Sequence, residues 1–117
     1  MTLDKGKATL ARIYCSENDR YHGEPLYEAI LLEARNRNLA GCTVIPCVEG
    51  FGASTMIHSA RTLRVEEDLP MVVEVVDSRE RLQRFLRRVE AMLAEVSRGS
   101  LITLEDVEVF KYQPAVA

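Results

Sequence analysis

The sequence predicts an α+β fold in the order β-α-β-β-α-β, a split βαβ arrangement in which two helices cover one face of an antiparallel sheet. Three observations carry that expectation. Short β-tolerant runs stand at residues 8–15, 42–48, 71–76 and 107–112, two helical apolar stripes separate them, and 117 residues suit a single domain over 1–117.

Ala8 to Cys15 is apolar and β-tolerant, and the polar cluster Ser16-Glu17-Asn18-Asp19-Arg20 ends it as a loop. Pro25 suits the first turn of a helix in which Leu26, Ala29, Ile30 and Ala34 recur at helical spacing to about Leu39, before Gly41 breaks it. Cys42 to Val48 is β-branched, but Pro46 inside it implies a bulge, an edge or a strand end. From Glu49 to Leu69 periodicity is lost, and so long an irregular stretch in a small domain points to function. Met71 to Val76 is the clearest strand, and Asp77 with Glu80 makes a capping box for the next helix. Leu82, Phe85, Leu86, Val89, Leu93 and Val96 form its apolar stripe, and Ser97-Arg98-Gly99 closes it. The last strand lies within Leu101 to Tyr112, with Val107 to Tyr112 its strongest part, and Gln113-Pro114 ends it.

Composition excludes several classes of function. With 15 Lys and Arg against 18 Asp and Glu, a formal charge of -3, the chain offers no broad basic field for nucleic acid. No stretch has the roughly 18 apolar residues of a membrane span, and the N-terminus lacks a signal-peptide core, so a cytoplasmic protein without membrane insertion is expected. Cys15, Cys42 and Cys47 are odd in number and lie in apolar runs, which suits reduced thiols. Neither a CxxC nor an HxxxH pattern is present, and no metal or cofactor is expected. His22, near Glu17 and Asp19, has no ligand spacing, and a structural role suits the group better, with His22 or Asp19 hydrogen-bonding loop backbone and helping seat Pro25 at the start of the first helix.

Both faces of the predicted sheet carry apolar residues. Leu10 and Tyr14 oppose Ala11, Ile13 and Cys15 on the first strand, as Val72 and Val76 oppose Met71, Val73 and Val75 on the third. Two helices cover one face only, so the other predicts association between copies through their sheets.

Several segments stand together in order: Arg12-Ile13-Tyr14, Glu17 through Tyr27, Ala40-Gly41-Cys42-Thr43-Val44, Glu49-Gly50-Phe51-Gly52, His58, Asp68-Leu69-Pro70 and Leu104-Glu105-Asp106-Val107. This set resembles the bacterial and archaeal PII-like proteins grouped as domain of unknown function 190. The resemblance implies a ferredoxin-like fold, a PII-like homotrimer, and a loop between the second and third strands comparable to the PII T-loop. One departure stands out. The family commonly has an Arg-Gly pair where this chain has Pro46-Cys47, so a cation and a glycine are missing beside the Glu-Gly-Phe-Gly segment.

The candidate ligand-binding residues are Glu49, Gly50, Phe51, Gly52, His58, Arg61, Arg98 and Gly99. Gly50 and Gly52 allow positive φ and exposed amides for an anion, although a plain strand-to-loop turn reads equally well. His58, Arg61 and the neighbouring Arg64 offer donors to phosphate or carboxylate, although solvated loop side chains account better for any one of them. Arg98 and Gly99 occupy the turn that in PII proteins helps form the intersubunit nucleotide cleft, though an ordinary helix end accounts for them better. The expected function is a non-enzymatic, signalling-type regulator in which a small anionic ligand, a nucleotide among the candidates, binds between subunits. The Glu49 to Leu69 loop would then contact a protein target. The alternatives are a metal-binding or metal-responsive trimer, and a small enzyme at the subunit interface with His58 and Glu49 as acid and base.

Overall fold

The computed structural model describes residues 6–51, 57–59 and 69–116. Strand β1 (Gly6–Ser16) leads into a minimal hairpin of β2 (Arg20–Tyr21) and β3 (Glu24–Pro25), then helix α1 (Leu26–Asn36) and strand β4 (Gly41–Pro46). A ribbon of β5 (Glu49–Phe51) and β6 (Ile57–Ser59) precedes β7 (Pro70–Asp77), helix α2 (Arg79–Val96) and β8 (Leu101–Val109). The main sheet has the order β4-β7-β1-β8 and every pairing in it is antiparallel, so the βαββαβ expectation holds.

Strand alternation sorts the side chains. Ala11, Ile13 and Cys15 sit opposite Val75, Val73 and Met71 on the helix-facing side and are buried with them. Leu26, Ile30 and Ala34 of α1 close this core, together with Leu82, Phe85, Leu86, Val89, Met92 and Leu93 of α2, which adds Met92 to the expected stripe. Leu104, on the helix-facing side of the edge strand β8, remains 41% exposed. The opposite face has no helix. It presents Leu10, Tyr14, Val72 and Val76, half-buried, and Ile45 and Leu101, exposed, around Arg12. Arg12 reaches Glu74 through Nε and Glu105 through Nη1, both at 2.9 Å, and these bonds raise its pKa.

Four local expectations need correction. Helix α2 is capped by Ser78, whose Oγ accepts from Arg81 N at 3.3 Å. Asp77, fully buried, instead accepts from Ala40 N at 2.9 Å and Ser78 N at 2.6 Å, tying the α1–β4 connection to the start of α2. Helix α1 stops at Asn36 because Asn38 takes φ 56° and Leu39 N donates to Ala34 O, a Schellman-type ending with Asn in the usual glycine position. At the end of α2 the left-handed residue is Ser97, φ 59°, two residues before Gly99. Strand β8 ends at Val109, not Tyr112. Gly6 opposite Val109 is the last pair, and Phe110 beyond it is 87% exposed.

Candidate functional site

The β1 C-terminal end of the sheet gathers the segments that carry the predicted site. Glu17 N donates to Leu69 O at 2.8 Å and Cys47 N to Pro70 O at 3.0 Å, which pins both flanks of β7 where the β5–β6 ribbon departs. Within the ribbon Glu49 pairs with Ser59, Gly50 with His58 and Phe51 with Ile57. Part of the segment expected to be irregular is therefore a two-stranded arm. The three-residue strands are too short for alternation to signal them.

Gly50 does not take the positive φ expected of it, because it lies extended within β5. Its lack of a side chain serves a close approach instead: a Cβ there would stand 3.4 Å from Pro70 Cγ. Gly52 and Arg61, with Arg64, lie outside the described residues.

At the other edge of the same sheet end, the turn after α2 borders a groove of about 530 Å³. Its polar lining comes from Ser97, Arg98, Ser100 and Glu90, above Leu93 and Ile102. Arg98 is tethered, with Nε 3.0 Å from Oδ1 of Asp19, whose side chain is only 2% exposed. The contact is an ion pair by distance without hydrogen-bond alignment at that oxygen. Asp19 Oδ2 accepts from Ser16 N at 3.0 Å and Asp19 O accepts from Leu26 N at 2.8 Å, so one loop residue seats both β1 and α1. The role in the loop read from sequence for Asp19 stands. Its partnership with Arg98 joins residues remote in the chain, and no local pattern announces it.

His22 takes φ 51°, stacks on Tyr21 at 4.1 Å between ring centroids, and places Nε2 2.8 Å from Glu95 Oε1. Tyr21 Oη in turn accepts from Arg88 at 2.9 Å, so the hairpin is fastened to α2. Among the described residues no group of three or more His, Cys, Asp and Glu converges as a metal site would require. Cys15 is buried and Cys42 half-buried, and burial pushes the Cys42 thiol up to about 11. No helix among the described residues is long and apolar enough to cross a membrane.

The two halves of the site do not meet within one protomer. The ribbon extends from β4 and the 97–100 turn feeds β8, which are opposite edges of a four-stranded sheet, three strand spacings or about 14 Å apart. A ligand touching both within one protomer would have to span that distance.

The sequence profile of domain of unknown function 190, described as "Uncharacterized ACR", matches residues 8–109. A UPF0166 protein of Aquifex aeolicus (strain VF5) is 37% identical over 103 residues, covering 88% of this chain and 93% of that protein. A UPF0166 protein of Methanocaldococcus jannaschii is 28% identical over 105 residues, covering 90% and 94%. Among solved structures, CPII, a nitrogen regulatory PII-like protein from Thiomonas intermedia K12 bound to ADP, AMP and bicarbonate, superposes with a TM-score of 0.67 at 12% identity over 90% of each chain. A Thermus thermophilus protein described as a putative PII-like signaling protein superposes with a TM-score of 0.60 at 19% identity, over 88% of this chain and 89% of that one. At these identities the shared property is the fold.

Proposed function

The chain belongs to the family of domain of unknown function 190, and from that membership and the geometry above we propose that it is a PII-like trimeric regulator and not an enzyme. A small anionic ligand, of the nucleotide class that CPII holds, binds between subunits, and the segment between β4 and β7 carries the response to a protein target. The observation that carries this reading is the placement of Glu49 and Gly50 at one sheet edge and Arg98 and Gly99 at the other, all at the same end. A closed ring of protomers brings the β4 edge of one copy beside the β8 edge of the next.

The helix-free face supplies the surface on which such a ring packs. Its apolar residues gain by leaving water. Arg12, the cation on this face among the described residues, is already bonded to two carboxylates and enters the interface compensated. Ligand binding then acts by favouring one arrangement of the arm over another.

The test combines sedimentation equilibrium with calorimetric titration of ADP, AMP and bicarbonate into the purified protein. A trimer that binds at least one of these saturably, returns the nucleotide chemically unchanged, and binds more weakly after Arg98→Ala supports the reading. A monomer, or a trimer that gives neither heat nor thermal shift with any of the three, overturns it.

A further inference from the structure

At the opposite end of the sheet from Glu49 and Arg98, the C-terminus of α1 and the first turns of α2 enclose a pocket of about 180 Å³ lined by Arg37, Leu39, Arg81 and Arg84. Three of its four lining residues carry guanidinium groups and none is acidic. Two of the three are held in place from behind. Arg37 Nε donates to Glu33 Oε2 at 2.7 Å. Arg81 Nη2 donates to Arg37 O at 2.8 Å and Asn38 O at 2.9 Å, while its Nε stands 3.2 Å from Oδ1 of the buried Asp77. Arg84 is exposed and has no hydrogen bond or ion pair among the described residues.

Charge, shape and size converge on one class of ligand. Glu33 and Asp77 offset two of the three positive charges, which leaves one in excess, and Arg81 and Arg84 at i,i+3 repel each other until an anion joins them. A helix C-terminus ordinarily repels anions, but here Arg81 occupies the carbonyls of Arg37 and Asn38 and removes that objection. Half-buried Leu39, packed on the core, gives the pocket an apolar wall that limits screening. The volume equals roughly six waters at about 30 Å³ each, room for a phosphoryl group and a few waters, with the rest of any larger ligand left in solvent. We propose that this pocket binds a small oxyanion of the phosphate type, as inorganic phosphate or the phosphoryl end of a small monoester, with Arg84 closing over an anion that Arg37 and Arg81 are set to receive. Guanidinium groups suit it because the planar forks of Arg37 and Arg84 match phosphate oxygens in pairs, while Arg81, whose Nη2 is given to two carbonyls, offers Nη1 alone. The site is separate from the intersubunit cleft and does not depend on the function proposed for it.

Inorganic phosphate and glycerol 3-phosphate are titrated into the intact protein at constant ionic strength, followed by calorimetry and phosphorus NMR. Arg84→Gln removes the guanidinium without breaking a hydrogen bond or ion pair among the described residues. Arg87→Gln is the charge-matched control, since Arg87 lies on the other flank of α2 beside Gln83, Leu86 and Ile102. The expected result is saturable binding, weakened about tenfold or more by Arg84→Gln, as loss of one charge-assisted hydrogen bond implies, and unchanged by Arg87→Gln. Tighter binding of glycerol 3-phosphate would assign the monoester, and equal or weaker binding the free ion. The absence of saturable binding with both probes overturns the site, and equal losses in the two variants overturn it in favour of diffuse attraction to a basic surface.

Discussion

Arg98 Nε stands 3.0 Å from Asp19 Oδ1, and the carboxylate it meets is 2% exposed, so an exposed turn supplies the countercharge to a buried acid. Removing the arginine leaves that charge uncompensated, whereas an amide at position 19 keeps an acceptor for Ser16 N. Because Arg98 is itself 39% exposed, solvent replaces part of what is lost. Arg98→Ala should therefore cost about 2 kcal/mol in urea unfolding and Asp19→Asn about 1 kcal/mol. Their double variant should cost clearly less than the sum. Additive losses would mean that the two residues act independently.

Assembly through the helix-free face can be tested at Tyr14, which lies half-buried between Val72 and Leu101. Tyr14→Glu places an unpaired charge where a neighbouring sheet would pack. Association measured by sedimentation should weaken at least about tenfold, the effect of roughly 1.4 kcal/mol. Circular dichroism should stay unchanged, since Tyr14 is outside the core. A variant that assembles as well as the parent would place the interface elsewhere.

The regular elements were legible in the sequence wherever period and burial agreed. Leu82 through Leu93 repeat at helical spacing because one side of α2 is buried, and Met71, Val73 and Val75 alternate because one face of β7 is buried against the helices. What escaped was set by single contacts. The cap fell on Ser78 because the Asp77 carboxylate was drawn into the fold by Ala40 N and Arg81, partners remote from its own turn or hidden by its burial. The sequence offers Gly50 as a residue free in φ, yet its backbone is extended and its open side faces Pro70. For the candidate site, the family resemblance points to the turn at Arg98 and Gly99, but the tether of Arg98 to Asp19 has no local signal in the sequence. The arginine pocket depends on a helix that ends at Asn36 with Asn38 left-handed beyond it, whereas spacing alone carries the helix on to about Leu39.

Cys42 provides a prediction of pH dependence. Burial raises its thiol from 9.0 to about 11, so the fold favours the neutral form. The associated stability is complete below pH 9.0 and is lost as pH rises toward about 11. Cys42→Val should flatten the alkaline fall in stability relative to the parent. At pH 8 a disulfide reagent should modify Cys42 in the native protein far more slowly than in urea, because the thiolate is the reactive form. Equal rates in both conditions would contradict the burial.

Gly50 links the arm to the sheet, and its substitution tests whether the arm carries the response to ligand. A Cβ at this position would stand 3.4 Å from Pro70 Cγ, at the lower edge of ordinary contact, against a ring whose residue also accepts from Cys47 N at 3.0 Å through its carbonyl. Alanine therefore just fits, and valine, with two further carbons, demands a displacement. The core does not depend on this contact, since the buried cluster is drawn from β1, β7, α1 and α2. Gly50→Val should leave the unfolding midpoint within about 1 kcal/mol of the parent in equivalent stability. It should also speed amide exchange at Glu49 to Phe51 and Ile57 to Ser59 relative to Val72 to Val76, with Gly50→Ala between the two. If the arm transmits ligand occupancy, bound ADP should slow exchange there in the parent and have less effect in Gly50→Val. Exchange in the arm as slow as in β7, or ligand protection identical in both proteins, would remove the arm from the mechanism.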